Sequence, residues 1–451
     1  MCGIWALFGK AAGDSKYVSC INALNGRGPE GSRQKILDKR AHLSFSRLAI
    51  NGLTTDGMQP FSFAKTHIVC NGEIYNWQEL AKKYDLYLRT GSDCEVLQLI
   101  NRLHPFDMCN ELDGVFSFIG YNEDTNLGIV ARDPFGVRPL YMWIGTLSGE
   151  PAIAFSSEIK GFDVFKNEHG VYSPVPPGHY IVIEKVADAD MKLHMHQYHQ
   201  LPPTAPLDVS SDESNKDKET AAWCKLVRER LQAAVKKRVL NTERPIASLL
   251  SGGVDSSLIS ALVQRELKEM GKPPLKTFSI GFKGSTDLQY AQKVADHIGS
   301  DHTELVFTPD DFFSSIPEVI KAIESYDVTT VRASVGNYLV AKAIAASTDA
   351  KVVFNGDGSD EIFGSYLYFY RAPSLEEFDE EVRRLIKDIH YFDVLRSDRS
   401  ISTNGLEPRT PFLDKSVVEA VLSVPISLRK PRIDTKEHME KALLRYGFFN
   451  P

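Results

Sequence analysis

The sequence predicts a largely antiparallel α+β domain followed by an α/β domain built on a parallel sheet. Three observations carry that prediction. Residues 1 to about 200 hold short alternating apolar runs separated by Gly, Asn and Asp, residues 201–218 hold almost no apolar surface, and from Glu219 long helical patterns alternate with short strands. At 451 residues the chain is too long for one ordinary core, and 43% hydrophobic with 25% charged residues is a globular composition.

In the first part, 4–8, 42–50, 67–70, 115–119, 127–131, 152–155 and 180–183 read as strands, with helical patterns at 75–83 and 93–103. Residues 201–218 contain three Pro and many Ser, Asp and Lys, and read as a linker or exposed loop. Beyond them 245–250, 275–282, 303–307 and 351–354 read as strands between helices near 219–239, 256–270, 287–298, 311–325 and 332–347. Such alternation places ligands at the carboxyl ends of the strands. The expected domains are 1–200 and 219–451.

Composition narrows the function classes. A formal charge of -7 argues against a nucleic-acid partner, since phosphate binding needs clustered Lys and Arg. The one dense basic run, Lys236-Lys237-Arg238, reads as a solvated helix face. No segment approaches the ~18 apolar residues that span a bilayer, so no membrane role is expected. The N-terminus has neither a basic leader nor a cleavable apolar core. Six cysteines without a C-x-x-C pair support neither structural zinc nor a disulfide framework, and a reducing cytoplasmic setting is expected.

The second half is organised around Leu249-Leu250-Ser251-Gly252-Gly253-Val254-Asp255-Ser256-Ser257. An apolar run ends in a Gly pair and hydroxyl residues, and Leu258, Ile259, Leu262 and Val263 then follow at helical spacing. Gly252 and Gly253 allow a sharp turn close to a ligand, and the helix N-terminus offers unpaired N–H groups and a positive dipole end. Ser251, Ser256 and Ser257 add donors, and Asp255 can hold Mg2+ against phosphate oxygens. Two adjacent Gly alone would suit an ordinary turn; the whole string suits a pyrophosphate. No G-x-x-x-x-G-K-[ST] loop is present. Asn355-Gly356-Asp357-Gly358-Ser359-Asp360-Glu361 lies at a second strand end, where its acids can bind Mg2+ and a polar substrate.

A different chemistry is legible at the start. Removal of Met1 leaves Cys2 with a free α-amino group, which titrates at about 7.7–8.0 and can take the thiol proton itself. A small, inert thiol on a first strand is the alternative. Asn71-Gly72 is a hairpin signal, and equally an amide and N–H that can form an oxyanion hole. Glu73 and Asp93 can bind an amino group, while Arg27 and Arg47 have the fork geometry for a carboxylate. Together these groups describe a glutamine amidohydrolase.

With both sites in one chain, the sequence resembles the glutamine-dependent asparagine synthetases from Met1 to about Leu444. Cys2 to Gly9, Arg27-Gly28-Pro29, Arg47 to Asn51, Asn71 to Asn76, Gly91-Ser92-Asp93 and Arg132 to Tyr141 resemble the family's glutaminase half. That resemblance implies an N-terminal-nucleophile hydrolase with an αββα sandwich. It also implies nucleophilic Cys2, an oxyanion hole from Asn71 and Gly72, and glutamine bound by Arg47, Leu48, Ala49, Ile50, Asn51, Asn71, Gly72, Glu73 and Asp93. The second half resembles an ATP-pyrophosphatase-like synthetase domain. The resemblance implies ATP binding by Leu250, Ser251, Gly252, Gly253, Asp255, Ser256, Ser257, Ile280, Asn355 and Gly356, and Mg2+ on Asp255 and Asp360. An aspartate site at Thr329, Thr330 and Arg332, a catalytic Asp357, and a homodimer are implied as well. The run Glu407-x-Arg409-x-Pro411-Phe412-Leu413-Asp414 also matches.

The implied chemistry is attack of aspartate's side-chain carboxylate on ATP to give β-aspartyl-AMP and pyrophosphate, then displacement of AMP by tunnelled ammonia. Four departures qualify it. Gly26 and Glu30 replace the usual His and Asp around Arg27-Gly28-Pro29, and Asn355-Gly356-Asp357 replaces Ser-Gly-Glu. Asp357 is a methylene shorter than the family's Glu, and a displacement of roughly 1 Å can cost on the order of 10²-fold in rate. The family continues past the 440–445 match into a basic segment with a lysine near the pyrophosphate. Either the chain is a fragment or a shortened form, or cations such as Lys436, Lys441 or Arg445 substitute here. Two alternatives follow: a glutaminase with an impaired ATP-binding half, or a glutamine and nucleotide sensor.

Overall fold

A computed structural model describes residues 1–37, 39–208, 213–432 and 439–449. The first 200 residues carry β1 (Gly3–Phe8), β2 (Ser32–Leu37), β3 (Ala41–Ser46), β4 (Phe61–Phe63), β5 (Thr66–Ile74), β6 (Gly114–Asn122), β7 (Leu127–Arg132), β8 (Tyr141–Leu147), β9 (Glu150–Ser156), β10 (Gly170–Pro174), β11 (His179–Glu184) and β12 (Lys192–Gln197). They form two six-stranded antiparallel sheets, ordered β10-β8-β9-β1-β3-β2 and β12-β11-β7-β6-β5-β4.

Alternation along β1 explains the layering. Ile4, Ala6 and Phe8 point between the sheets, where they meet Val69, Ile119, Val130 and Ile181. Trp5 and Leu7 point outward onto Tyr17, Ile21 and Phe165. On the far side Cys70, Phe116 and Phe118 pack under Val96, Leu97 and Met108. The result is an αββα sandwich, and a strand buried on both faces reads as a continuous apolar run.

The second half contains β13 (Ile246–Leu249), β14 (Lys276–Gly281), β15 (Asp301–Val306), β16 (Val352–Phe354) and β17 (Glu407–Arg409). Their order is β15-β14-β13-β16-β17 and every pairing is parallel. The chain steps outward from β13 through β14 to β15, then returns to β16 on the opposite side. Between β13 and β16 lies the switch point, where the loops diverge and leave a crevice. The Ser251 and Asn355 loops leave from those two strands.

Several expectations need correction. The strand predicted over 42–50 ends at Ser46, because the main chain of the next residues bonds to 30–31 and the second half instead. The predicted helix 93–103 is a 3-10 helix, Asp93–Asn101. Part of the expected linker is helical: Glu213–Leu240 starts inside it and buries Val227, Leu231, Ala234 and Val235. The helix expected from 332 starts at Val328, because the Asp327 side chain caps the Thr330 N–H. Asn71-Gly72 is no hairpin turn but lies inside β5.

Candidate functional site

Sheet register builds the first pocket. Gly3 pairs with Ser46, so Cys2, one residue before β1, sits beside the chain that leaves β3 at Arg47. The Cys2 thiol donates to the Leu48 carbonyl at 3.4 Å, and the Arg27 Nε donates to the Cys2 carbonyl at 3.0 Å. Burial pushes the thiol up to about 11, against the pull of the nearby amino terminus. Met1 is buried, its ammonium donates to the Leu406 carbonyl at 2.9 Å, and desolvation lowers that group to about 5.

Asn71 is 0% exposed, and neither its amide nitrogen nor its oxygen has a partner. Such an amide is held ready for a group the protein does not supply. Gly72 is required by space and by its φ of 155°, since a Cβ there would lie 2.2 Å from the Val115 carbonyl. Glu73 Oε2 accepts from Asn51 Nδ2 at 2.9 Å and from Asn241 Nδ2 at 2.7 Å, with the Arg409 guanidinium at 3.2 Å. Burial first, then the Asp93 charge, push the Glu73 carboxyl upward. Asp93 accepts from the Ile74 N–H at 2.7 Å, and burial raises it to about 6.

Arg47 is aimed by two carbonyls, Thr54 at 2.8 Å and Gly52 at 2.5 Å. Arg27 is not available to a substrate carboxylate, contrary to the sequence reading. Its guanidinium is spent on Glu158 at 2.8 Å and Asp398 at 2.6 Å, and desolvating such a fork without partners would be prohibitive. The unusual residues beside it also have structural reasons. Gly26 lies against the second half, where a Cβ would come 3.1 Å from the Thr403 carbonyl. Glu30 accepts from the Ala49 N–H at 2.8 Å and from Arg244 at 2.7 Å.

The 47–52 loop thus hangs on the residues that lead into β13. Glu243 accepts from the Gly52 N–H at 2.6 Å, Arg244 Nε donates to the Ala49 carbonyl at 2.8 Å, and Asn51 reaches the Asn241 carbonyl at 3.3 Å. Sequence reading missed Asn241, Glu243 and Arg244. They form a short polar string before a strand, with no motif to mark them.

In the crevice, Ser251 Oγ and Ser256 Oγ lie 2.9 Å apart and the Gly253 N–H donates to Ser251 Oγ at 3.3 Å. Ser257 Oγ is buried without a partner. Gly252 has φ +80°, and a Cβ would strike Tyr290 Cβ at 2.5 Å. Leu250 is buried on Ala291 and Ala295, so its side chain does not face the crevice. Gly356 must be Gly, because a Cβ would lie 2.8 Å from Asp255 Cβ. Asn355 Nδ2 donates to Asp357 Oδ2 at 2.8 Å and Ser397 Oγ at 2.7 Å, and burial raises Asp357 above the ordinary carboxylate range.

Asp255 and Asp360 are brought together, with Lys441 Nζ bonded to both, at 2.5 and 2.8 Å. Ser359 Oγ also donates to Asp255 at 2.8 Å. Among the described residues no group of three or more His, Cys, Asp or Glu could hold a metal. A carboxylate pair nevertheless suits Mg2+, which keeps water and takes phosphate oxygens as its other ligands. Of the other expected cations, Arg445 is bonded to Glu440 at 2.7 Å, and Lys436 lies outside the described residues.

Thr330 is buried and bonded to Asp327, whereas Thr329 and Arg332 are exposed on the same helix start. Arg332 lines a groove of about 540 Å³ with Phe282, Phe312, Tyr326 and Val331. Ile280, at the end of β14, packs in one cluster with Val331 and Val335, which ties this helix to the crevice. No helix among the described residues is long and apolar enough to cross a membrane.

Comparison with known proteins matches each half of the chain to a family. The asparagine synthase family matches residues 226–377 and 372–448, and the glutamine amidotransferase domain matches 1–220. Asparagine synthetase [glutamine-hydrolyzing] of Gallus gallus is 40% identical over 99% of this chain and 81% of its own length. The Homo sapiens protein of the same name is 39% identical over 99% and 81%. Among solved structures, glutamine phosphoribosylpyrophosphate amidotransferase from B. subtilis aligns with 68% of this chain and 91% of its own, at 16% identity and a TM-score of 0.38. The chain belongs to the glutamine-hydrolysing asparagine synthetase family.

Proposed function

We propose that the chain makes asparagine from aspartate, glutamine and ATP with Mg2+, residues 1–200 forming the glutaminase unit and 219–451 the synthetase unit. One observation carries the reading: Arg409, the last residue of β17, touches both sites. The Arg409 guanidinium holds Glu73 at 3.2 Å, and the Arg409 carbonyl accepts from the Asn355 N–H at 3.1 Å. A glutamine pocket and a nucleotide loop joined by one short strand suit a nitrogen transfer between them.

In this reading Met1 is removed and the Cys2 amine takes the thiol proton. The thiolate adds to the glutamine side-chain carbonyl, Asn71 and the Gly72 N–H bind the oxyanion, ammonia leaves, and water cleaves the thioester to glutamate. Asp93 and Glu73 hold the substrate's amino group and Arg47 its carboxylate. Across the junction, Leu48, Ile50, Val115 and Val137 give ammonia an apolar wall, where the neutral form is favoured.

In the crevice, Ser251 to Ser257, Asn355 and Gly356 receive ATP, with Leu250 and Ile280 at its edge. When bound, Mg2+ supplies charge neutralisation at the phosphates, with Asp255 and Asp360 as its protein ligands. Thr329 and Arg332 orient aspartate, Thr330 serving only to fix the helix start on Asp327, and Asp357 stays close to the forming acyl phosphate bond. Aspartate's carboxylate displaces pyrophosphate from the α-phosphorus, and ammonia then displaces AMP from the acyl carbon. Asparagine, AMP and pyrophosphate in equal amounts from aspartate, ATP and either glutamine or ammonium are expected. No asparagine from either nitrogen source would refute the reading. Intact mass of the purified protein checks that Met1 is gone.

A further inference from the structure

Glu324 belongs to the synthetase half but spends its carboxylate on the glutaminase half. Oε2 accepts from the Ile159 N–H at 2.9 Å and Oε1 from the Lys160 N–H at 2.6 Å. Those two groups open the 3-10 helix Ile159–Phe165, whose own preceding residue, Glu158, gives it no side-chain cap. First-turn N–H groups need an acceptor, and here it comes from a residue 165 positions beyond Ile159. The Arg399 guanidinium donates to the same carboxylate and to the Ile323 carbonyl at 3.0 Å. Glu324 closes the helix Pro309–Ile323 with a left-handed backbone at φ +55°, and its side chain is 12% exposed. A left-handed cap favours glycine, so the turn by itself gives no reason for a glutamate.

Both directions out of Glu324 lead to a proposed substrate pocket. Along the chain, residues 326–329 are exposed, and they run into the helix start that carries Thr329 and Arg332. This stretch is fastened at one end by Glu324 and at the other by Asp327, whose side chain caps the Thr330 N–H at 2.8 Å. In the other direction, Ile159 and Lys160 follow Glu158, which accepts from Arg27 at 2.8 Å and from Lys160 Nζ at 2.7 Å. Arg27 Nε in turn donates to the Cys2 carbonyl at 3.0 Å. The Arg27, Glu158 and Arg399 side chains are buried, so water and salt screen these bonds little.

We propose that Glu324 is a positioning residue that ties the aspartate segment to the Cys2 pocket: aspartate bound at Thr329 and Arg332 orders residues 325–329, firms the hold of Glu324 on Ile159 and Lys160, and so steadies Arg27 against the Cys2 carbonyl. This rests on the two substrate pockets proposed above. Aspartate then strengthens glutamine binding, and by linkage glutamine strengthens aspartate binding by the same factor.

The test compares full-length wild type with Glu324→Gln and Glu324→Gly. The first keeps the size and removes the charge; the second keeps the left-handed turn and removes the side chain. With ammonium as nitrogen source, KM for aspartate should rise on the order of tenfold in both variants, while kcat changes by less than about twofold. In wild type, added aspartate should lower KM for glutamine about fivefold, measured as glutamate release without ATP. It should also slow amide hydrogen exchange at residues 159–165, read by mass spectrometry. Both responses to aspartate should be absent from the variants. An unchanged KM for aspartate, a response retained by the variants, or a wild type whose glutamine hydrolysis and exchange ignore aspartate would overturn the proposal. So would a joint loss of kcat and urea resistance in Glu324→Gly, the mark of a merely structural contact. Wild type that makes neither asparagine from ammonium nor glutamate from glutamine would instead overturn the reading of the two pockets.

Discussion

Beside Cys2, Asn71 stands fully buried with neither amide atom bonded, whereas beyond β13 most polar groups of the proposed phosphate loop, all but Ser257 Oγ, are bonded within the protein. Ser251 and Ser256 share a hydrogen bond, Gly253 donates to Ser251, and Asp255 is held by Ser359 and Lys441. The first region keeps an unmet requirement, at a cost of about 1–3 kcal/mol for a buried polar group left unpaired. The second region meets most of its requirements internally, Ser257 Oγ excepted, and must exchange partners to bind. One pocket therefore holds its unmet amide open, while the other is largely closed on itself. Their common neighbour is β17, whose Arg409 side chain serves the first and whose main chain serves the second.

The largest expected effect tests whether the two regions are chemically separate. Cys2→Ala should lower glutamine-supported asparagine synthesis on the order of 10⁴-fold or more, the scale seen when a catalytic nucleophile is removed. Synthesis from ammonium should persist at the wild-type rate. Loss of both activities would break the comparison, since the crevice would then depend on the thiol directly.

Asn71→Leu sharpens the idea of a pocket that keeps an unmet requirement. Glutaminase kcat should fall about 10²- to 10³-fold, as for other oxyanion donors. Resistance to urea should be unchanged or higher, because an apolar group of similar size removes the unpaired amide from the core. A variant that loses both stability and activity would mean Asn71 is a structural amide. Gly356→Ala probes the crevice instead. Its Cβ would press on Asp255 Cβ at 2.8 Å and the Ser256 N at 3.0 Å, shifting the loop against the helix that follows. An ATP affinity lowered roughly tenfold is expected, since sub-ångström overpacking costs about 1–3 kcal/mol. Glutamate formation should stay constant.

Sequence patterning exposed the buried parts of this molecule and missed its margins, for a reason visible in the sheets. Of the five strands left unpredicted in the first half, β2, β4, β10 and β12 are the four sheet edges. An edge strand such as Lys192–Gln197 is almost wholly exposed and has no apolar face to alternate. Cys2, Asn71 and the Ser251 string could be singled out in the sequence because the chemistry proposed for each demands particular side chains at short spacing. Asn241, Glu243 and Arg244 were not, since their partners at 49–52 and 73 are far away in the chain and any polar residue of suitable length could serve. Arg27 was misread for the same reason: an arginine beside a catalytic cysteine suits a substrate carboxylate, and only the fold reveals that Asp398, 371 residues on, already takes it.

The smallest effect concerns pH and the glutamine pocket alone. Burial raises Asp93 to about 6 in the folded protein, against 3.8 for the free side chain. The folded state therefore holds this proton more tightly than the unfolded chain does, so Asp93 favours folding at low pH and that contribution is lost as pH rises through about 6. Binding has the opposite sign, because the substrate's ammonium needs the ionised carboxylate. Between pH 5 and 7, kcat/KM for glutamate release should climb several-fold with an apparent midpoint near 6, while the urea midpoint falls slightly. Asp93→Asn should remove the step in both curves and leave kcat/KM low throughout. A wild-type profile flat across this range would place a charged Asp93 in the pocket at every pH and make the site more open to water than its burial implies.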